Sequence, residues 1–417
     1  MSDPGTVVAC EVVVVGGGPA GLTAATELRR GGVTDVVVLE REGVAGGIPR
    51  HSDHLGYGVR DRRWVLSGPE YARRLVADAL EAGVDVRTEW MVTGWSDAGE
   101  PIVTSPRGRV RVVAGAVVLA TGARERPRSA RMIPGDRPAG VYTTGQLQSL
   151  VHLQHRHVGT RAVVVGSELV SWSAVLTLRE AGCATVAMTT SQPRAEAPAA
   201  VGLGGRTAFG FPVARRTRVA RIIGRERVEA VELEHLDTGA RTHVACDTVV
   251  LTGDWVPDNE LSRLRGLELG AGHRGPLVDT ALRTSAPGVF AAGNLLHPVD
   301  TADVAALDGR HVASQVRNWL AGDRERPAAV RLLAEEPFAW VAPGLVRPGD
   351  PAPPRGRLLL WGLQHRALPR VVVEQSGAVL ARRRIPWPLT PGRVFRLPWS
   401  MVSAAQADAG DVTIRLR

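Results

Sequence analysis

The chain has 417 residues, of which 44% are hydrophobic, and a formal net charge of +9 at pH 7. This length allows roughly two to three domains with substantial cores, and the apolar content excludes disorder of the whole chain. All 51 basic residues are arginines, which excludes any chemistry that needs a lysine amine, such as a Schiff base or a P-loop lysine.

The cysteines and the N-terminus narrow the class of protein further. Cys10, Cys183 and Cys246 lie far apart and have no metal-ligand or redox-pair spacing, so we predict no disulfide relay, no metal and no iron–sulfur cluster held by this chain alone. The N-terminus lacks the basic segment and cleavage site of a signal peptide, and the apolar run at residues 7–15 is too short to cross a bilayer. We therefore expect a cytoplasmic protein without a membrane span.

Residues 11–40, which begin EVVVVGGGPAG, predict a nucleotide-binding unit: a buried strand, a glycine-rich turn, a helix, and a second buried strand that ends on an acid. In this pattern Gly16 permits the tight turn, and Gly18 lets the backbone approach a pyrophosphate. Gly21 lets the helix pack closely on the strand, and Glu40 can bond a ribose hydroxyl. The helix N-terminus favours the phosphates.

A second strand-turn-helix pattern follows at residues 161–182. Strands that end on ATG at residues 120–122 and on LTG at residues 251–253 close the two units in the same way. The strand GVFAAGN at residues 288–294 precedes a predicted helix over residues 304–320. The sequence therefore predicts an α/β fold with two doubly wound, Rossmann-like domains, the second inserted in the first.

This order of elements sets the predicted domain boundaries. Residues 1–155 and 285–330 form the first domain, residues 156–284 the second, and residues 335–417 a small β-rich C-terminal domain. The last segment is rich in Pro, Arg and Trp, and its short strand-like runs alternate with proline and glycine turns. Three tryptophans are interpreted as its core rather than as a ligand cage: Trp361, Trp387 and Trp399.

At these residues the chain resembles the two-dinucleotide-domain flavoproteins, the superfamily that includes thioredoxin reductase and lipoamide dehydrogenase. The segments ATGARERP and GVYTTGQLQ are most similar to the flavoprotein subunits of hydrogen cyanide synthase and opine dehydrogenase, although no cysteine-rich iron–sulfur segment follows Cys246 here. The resemblance implies an FAD-dependent oxidoreductase whose first domain binds FAD. The residues that it places at the cofactor are Gly16, Gly18, Pro19, Ala20, Gly21, Glu40, Arg41, Gly47, Ile48, Val92, Ala120, Thr121, Gly122, Gly293, Asn294 and Val304.

Two of these positions carry further expectations. The family usually has Asp where this chain has Asn294, a change that can keep a hydrogen bond while removing a negative charge. The helix that begins near residue 302 is expected to point its N-terminus at the pyrimidine edge of the flavin and to stabilise an anion there.

The second unit departs from the fingerprint. Gly166 keeps the turn, but Glu168 and Ser171 replace the second and third glycines. A carboxylate here would repel a pyrophosphate by on the order of 4 kcal/mol at about 4 Å and an effective dielectric of about 20. The sequence therefore argues against conventional NAD(P) binding, although Arg194 and Arg206 can in principle meet a 2′-phosphate.

An arginine-rich stretch at residues 215–227 raises the question of a nucleic-acid partner. It has no interleaved aromatic platform, so we interpret its arginines as solvated and predict no nucleic-acid binding.

The loop AGGIPRHSDHLGYG, residues 45–58, lies where related enzymes carry a redox-active cysteine pair. The resemblance places the residues after the Gly-Gly pair along the flavin ring. We expect a histidine to take a proton during substrate oxidation and an arginine to hold a carboxylate or phosphate. The candidates are Arg50, His51 and His54, with Arg60 and His297 as alternatives. The alternative is that the loop has no catalytic role and only packs over the cofactor.

Two classes of function remain open. One is an FAD-dependent dehydrogenase or oxidase of a small amine, amino acid or hydroxy compound that passes electrons to a partner subunit, with an NAD(P)H-dependent flavin reductase as the alternative within that class. The other is a non-catalytic, flavin-holding subunit of a complex.

Overall fold

The computed structural model describes residues 6–198 and 209–417. The first segment of the chain forms most of one sheet and two helices. Its elements are β1 (Thr6–Val15), α1 (Pro19–Arg30), β2 (Val36–Leu39), β3 (Leu55–Tyr57), β4 (Leu66–Ser67), α2 (Gly68–Glu81), β5 (Asp85–Arg87), β6 (Met91–Trp95), β7 (Pro101–Ser105) and β8 (Gly108–Leu119). The strand order is β5-β2-β1-β8-β7-β6, with β1 parallel to both β2 and β8. Unbroken apolar runs in β1 and β2 are buried, as expected for central parallel strands covered on both faces.

The middle of the chain forms the second domain. Its elements are β9 (Ala123–Glu125), β10 (Val141–Thr143), α3 (Thr144–Gln148), β11 (Arg161–Val165), α4 (Leu169–Glu180), β12 (Ala184–Thr189), β13 (Val213–Ala214), β14 (Thr217–Ile223), β15 (Ala230–His235), β16 (Arg241–Ala245), β17 (Thr248–Leu251), β18 (Trp255–Pro257) and α5 (Glu260–Leu264). A parallel sheet has the order β10-β17-β11-β12-β13, and β14, β15 and β16 form a separate antiparallel sheet.

The chain then returns to the first sheet. Strand β19 (Val289–Ala291) pairs in parallel with β8, and α6 (Ala302–Leu320) packs along α1. Because β19 completes a sheet begun before residue 120, the second domain is an insertion in the first. The predicted α/β fold with two Rossmann-like domains is confirmed.

The C-terminal part folds as two β-sheets around a separate core. Its strands are β20 (Val330–Ala334), β21 (Phe338–Ala342), β22 (Leu345–Val346), β23 (Arg357–Gly362), β24 (Arg370–Gln375), β25 (Ala378–Arg384), β26 (Val394–Pro398) and β27 (Val412–Leu416). Strand β20 pairs with β27, so this sheet begins at Val330 rather than at residue 335. Trp387 and Trp399 pack against the core, while Trp361 stacks on Trp340.

Charged side chains join the C-terminal domain to the first domain. Arg396 pairs with the nearly buried Asp300 at 2.8 Å, and Arg355 lies 3.4 Å from the buried Asp308 of α6. These pairs fix the C-terminal domain beside the segment that runs from β19 into α6. Among the described residues, no helix is long and apolar enough to cross a membrane.

Candidate functional site

The glycine-rich turn after β1 leaves an open space at the N-terminus of α1. A Cβ on Gly21 would lie 2.0 Å from the carbonyl oxygen of Gly16, and one on Gly16 would lie 2.5 Å from that of Ala120. The backbone of α1 therefore packs directly on the turn after β1, and that turn packs on the end of β8, with no room for a side chain at Gly16 or Gly21. Over Gly18, by contrast, the nearest atom to an added Cβ is Gly47 Cα at 3.9 Å. This open turn in front of a helix N-terminus fits a pyrophosphate.

The acid at the end of β2 lies beside this turn. Glu40 is 8% exposed; its Oε2 accepts from the Gly17 amide and its Oε1 from the Glu42 amide, each at 2.8 Å. A carboxylate offers about four acceptor positions, so both oxygens can still accept from ribose hydroxyls. The neighbouring Arg41 side chain points outward and pairs with Asp258 at 3.1 Å.

The opposite side of the crevice comes from three separate parts of the chain. Gly47 approaches Gly18, since an added Cβ would lie 2.9 Å from Gly18 Cα. Thr121, directly after β8, donates its hydroxyl to the Asp258 carbonyl at 2.8 Å. Gly293, directly after β19, would carry a Cβ only 2.8 Å from that of Ala20. The fold thus gathers most of the predicted FAD residues at the carboxyl ends of β1, β8 and β19.

Three of the predicted cofactor residues have side chains engaged elsewhere. Asn294 exchanges hydrogen bonds with the backbone of Asp300, at 3.0 and 3.1 Å, and so closes its own loop. Val92 on β6 and Val304 in the first turn of α6 are buried. Contact with FAD stays a prediction for these three residues, as it does for the other predicted cofactor residues.

The N-terminus of α6 already holds a buried acid. Asp303 is 2% exposed, and its Oδ1 accepts from the Val304 amide at 3.0 Å. Arg60 pairs with the same carboxylate at 3.2 Å. The free helix terminus expected from the sequence is therefore partly satisfied by the protein itself, which weakens its capacity to stabilise an anion.

Of the two loop histidines, His51 is the more deeply buried. It lies in a 3-10 turn, Ile48–His51, and is 8% exposed. Its Nδ1 has no hydrogen-bond partner among the described residues. Burial lowers the pKa of His51 to about 4, with Glu42 opposing the change. The imidazole is therefore neutral at pH 7, but its free nitrogen is shielded from solvent.

His54 lies between the loop and the second domain. Its Nδ1 is 2.9 Å from the Leu55 carbonyl oxygen, and its Nε2 is 2.7 Å from Ser173 Oγ on α4 and 3.1 Å from Ser52 Oγ. Because a carbonyl oxygen only accepts, Nδ1 carries the proton and Nε2 accepts from a serine hydroxyl. Gln148 donates to both serines, at 3.2 and 2.8 Å.

Sequence reasoning missed three members of this network: Ser52, Gln148 and Ser173. Ser52 lies in the loop at residues 45–58, and Gln148 and Ser173 are polar residues on α3 and α4; such residues are common without a function.

The other charged candidates have protein partners. Arg50 pairs with Glu42 at 2.8 Å and also donates to the Val44 carbonyl, so it braces the loop against the segment after β2. His297 pairs with the buried Asp308 on α6. Of the five candidates, His54 joins this loop to α4 of the second domain by a side-chain hydrogen bond, and His51 has the Gln148 side chain of α3 as a hydrogen-bonding neighbour.

The second nucleotide-binding turn holds two carboxylates. Glu168, at the N-terminus of α4, is 6% exposed. Burial raises the pKa of Glu168 to about 8, with nearby Glu196 acting in the same direction. Glu196 accepts hydrogen bonds from Ser167 at 2.9 Å and from Thr190 at 3.0 Å. The carboxyl group that the sequence placed at this turn is therefore mostly protonated at pH 7, and a second acid from a later loop lies beside it.

The C-terminal domain reaches over this turn. A Cβ on Gly392 would lie 2.9 Å from that of Glu196 and 3.2 Å from that of Glu168. Arg194 donates to His365 of the same domain at 3.1 Å. Arg206 lies outside the described residues. The loop that contains Gly392 thus packs directly on both acids.

Three of the six arginines in the arginine-rich stretch are ion-paired. Arg216 pairs with Asp237, Arg218 with Glu234 at 3.2 Å, and Arg221 with Asp136 at 3.6 Å.

The three thiols are separate from one another, with Cys10 half-buried and Cys183 and Cys246 buried. Burial raises the pKa of Cys10 to about 12 and the pKa values of Cys183 and Cys246 to about 11. All three are free cysteines. Thiol chemistry at the flavin therefore has no group in this chain to carry it.

Comparison with known proteins places these features in context. A model of the pyridine nucleotide-disulphide oxidoreductase family matches residues 10–309. The chain is 28% identical to the alpha chain of sarcosine oxidase from Rhizobium meliloti over 276 residues, which are 62% of this chain and 25% of that protein. It is 27% identical to one of the opine oxidase subunits of Agrobacterium tumefaciens, with 73% of this chain and 64% of that protein covered.

An NAD(P)H dehydrogenase (quinone) of Mycobacterium tuberculosis is also 27% identical, with 72% of this chain and 67% of that protein covered. Among solved structures, thioredoxin reductase of T. acidophilum superposes with a TM-score of 0.64 and 22% identity, over 75% of this chain and 99% of that one. The structural likeness shows the shared fold. By sequence, the chain spans a quarter of the sarcosine oxidase protein and about two thirds of the other two relatives.

Proposed function

Because the chain belongs to the pyridine nucleotide-disulphide oxidoreductase family of flavoenzymes, we propose that it is an FAD-dependent dehydrogenase or oxidase. In this proposal it oxidises a small amine, amino acid or hydroxy compound and passes the electrons to a partner. The observation that carries the proposal is a pair of acids, the buried Glu168 and the half-buried Glu196, at the turn where a dinucleotide needs hydrogen-bond donors and positive groups for its phosphates. With no cysteine pair either, the reducing equivalents have to come from a substrate at the flavin itself.

Bound FAD supplies a two-electron acceptor, and the protein supplies position and proton transfer. The residues proposed to hold FAD are the glycine turn after β1, Glu40, Gly47, the backbone at Thr121, and Gly293. These groups are polar backbone or acceptor atoms around an open turn, which suits a pyrophosphate and a ribose. Apart from Gly47, which belongs to the loop at residues 45–58, they follow strand ends, and this favours a fixed position of the cofactor relative to that loop.

His54 is the group that we assign to take the substrate proton. It is partly exposed, whereas His51 Nδ1 is buried and becomes reachable only if the loop moves. The accepting nitrogen of His54 is already hydrogen-bonded to a serine hydroxyl, so a proton can pass through Ser173 or Ser52 to Nε2. The Leu55 carbonyl holds Nδ1 protonated and keeps Nε2 available as the base.

Exposed apolar side chains beside this loop favour a partner protein. Leu55, Trp64 and Val65 are between 56% and 71% exposed, although they are large and apolar. Such concentrations on a surface are typical of interaction sites. Two relatives are named as subunits of oxidases, which is compatible with an electron-accepting partner here.

An anaerobic flavin-reduction experiment tests the proposal. Purified FAD-loaded protein is mixed with NADH, NADPH or a panel of small amines, amino acids and hydroxy acids, and the flavin absorbance is followed. We expect bleaching by a member of the panel and none by the nicotinamides. Rapid bleaching by NADH or NADPH would refute the proposal in favour of a flavin reductase.

The role of His54 is tested with His54→Gln, and His157→Gln serves as the control because His157 is an exposed histidine of the second domain. Loss of the proton acceptor should slow substrate-driven bleaching by roughly 10²- to 10⁴-fold. The flavin content of both variants should equal that of the unmodified protein. An unchanged rate in His54→Gln removes His54 from the mechanism.

One observation favours a second candidate, a flavin-holding subunit without its own substrate site. Arg50 and Arg60 already pair with Glu42 and Asp303, so neither of these loop arginines stands ready to hold a substrate anion. This alternative predicts that no reductant bleaches the flavin until a co-purifying protein is added.

A further inference from the structure

The second domain contains a cavity of about 660 Å³ at the carboxyl ends of its parallel strands, where Gly166, Thr190 and Gly253 follow β11, β12 and β17. The C-terminal domain covers part of it through Trp361 and Gly392. This volume is within the range of small-molecule binding sites.

One wall of the cavity carries an unsatisfied buried acid. Glu168 is 6% exposed, and its Oε1 has no partner at hydrogen-bond distance among the described residues, although the Trp255 indole lies close enough to lower the pKa of this carboxyl group slightly. An added Cβ on Gly253 would lie 2.0 Å from that oxygen, so the carboxyl group lies directly against the Gly253 backbone. A buried polar atom without a partner is expensive, and a ligand that donates to it removes that penalty.

The charge of Arg131 lowers the pKa of Glu168, but the hydrogen bonds of its guanidinium go to backbone carbonyl oxygens. Arg131 donates to the carbonyl oxygens of Arg126, Thr252 and Gly253 at 2.7, 2.9 and 2.6 Å. Its guanidinium is therefore occupied by backbone carbonyls. At the acidic end of the cavity, Glu168 Oε1 can therefore still accept a hydrogen bond from a cationic donor.

Away from Glu168, the cavity is lined by ion-paired charged side chains and by apolar side chains. Arg218 and Arg241 also line the cavity and pair with Glu234, at 3.2 and 3.7 Å. Apolar lining residues are also present, namely Met132, Ile133, Pro134, Val219 and Trp361. The cavity thus combines an acidic end with an apolar surface.

From this geometry we propose that the cavity binds a small organic cation, a primary ammonium or guanidinium group attached to an apolar body, with the cationic group between Glu168 and Glu196. A charged donor at this point satisfies Glu168 Oε1 and reduces the repulsion between the two acids. The proposal does not depend on which compound reduces the flavin. It gives the degenerate nucleotide site a ligand of opposite charge to NAD(P).

Binding should be coupled to proton release. The pKa of Glu168 is raised to about 8, so at neutral pH its carboxyl group is mostly protonated and has to lose that proton to pair with the cation. The charged groups that face it are Glu125, Arg131, Glu196 and Asp254. Between pH 6 and pH 7 the affinity should rise about tenfold, while an alkyl ammonium with a pKa near 10 stays charged.

Isothermal titration of the FAD-loaded protein tests the proposal. The probe is 4-phenylbutylammonium, with 4-phenylbutanol as its neutral counterpart and NADPH as the anionic ligand. The variant Glu168→Gln should bind the ammonium at least roughly tenfold more weakly at pH 8 and lose the pH dependence. The control Glu234→Gln alters an acid of the same cavity that is already ion-paired, and it should keep both properties.

The proposal is overturned if the unmodified protein binds the ammonium no better than the alcohol, if Glu168→Gln binds it equally well, or if NADPH displaces it. Flavin absorbance is recorded in the same titrations. Amine-driven bleaching that persists in Glu168→Gln reports the flavin site, so failure of this proposal and failure of the proposed function give different results.

Discussion

Replacement of Glu168 by Gln should stabilise the folded protein, and increasingly so as the pH rises. Burial raises the pKa of Glu168 from 4.5 to about 8. A raised pKa of an acid means that the folded state is destabilised relative to the unfolded state as pH rises above about 4.5, and that this effect is complete above about 8. The full difference corresponds to about 5 kcal/mol.

The expected gain for Glu168→Gln follows from the same relation. It is about 1 kcal/mol at pH 5, about 3 kcal/mol at pH 7 and about 5 kcal/mol at pH 9. Urea unfolding followed by circular dichroism measures it, and a gain of this size shifts the midpoint by roughly 1–2 M at pH 9. Glu226→Gln, a change of an exposed acid in the same domain, should give no pH-dependent difference.

A stability difference between Glu168→Gln and the unmodified protein that stays constant across this pH range, or falls with rising pH, would contradict this account. A constant gain would mean that the acid is destabilising for steric reasons rather than because its ionisation is unfavourable.

Three further outcomes are expected. Gly21→Ala should yield protein without FAD, measured as the ratio of absorbance at 450 and 280 nm, because the new Cβ meets the Gly16 carbonyl at 2.0 Å; normal flavin content contradicts this. Cys183 should react with a disulfide reagent at pH 7.5 only after unfolding, since burial raises its pKa to about 11; rapid native labelling argues otherwise. Arg396→Met should leave the Asp300 carboxylate buried without its ion-pair partner, lower the free energy of unfolding by about 3 kcal/mol, and speed proteolysis between the first and C-terminal domains. An unchanged cleavage rate would show that the Arg396–Asp300 pair does not hold these domains together.

The first nucleotide site was predictable because its determinants are local. The glycine spacing, the apolar runs on each side of it and Glu40 at the end of the second strand lie within one continuous segment, and the backbone geometry required there restricts which residues fit. Gly16 and Gly21 illustrate this, since each approaches another backbone too closely for any side chain. The insertion of one domain in the other followed from repeating the same local pattern.

The sequence also identified Glu168 as a departure from the fingerprint, but only the tertiary structure brought Glu196 beside it and the loop at Gly392 over both. In the same way, His54 and Ser173 are 119 positions apart and meet because two domains pack together. Local patterns determine which backbone turns form, since steric limits act between neighbours in the chain. Partners in a polar network are decided by domain packing, which places side chains together that no spacing in the sequence relates.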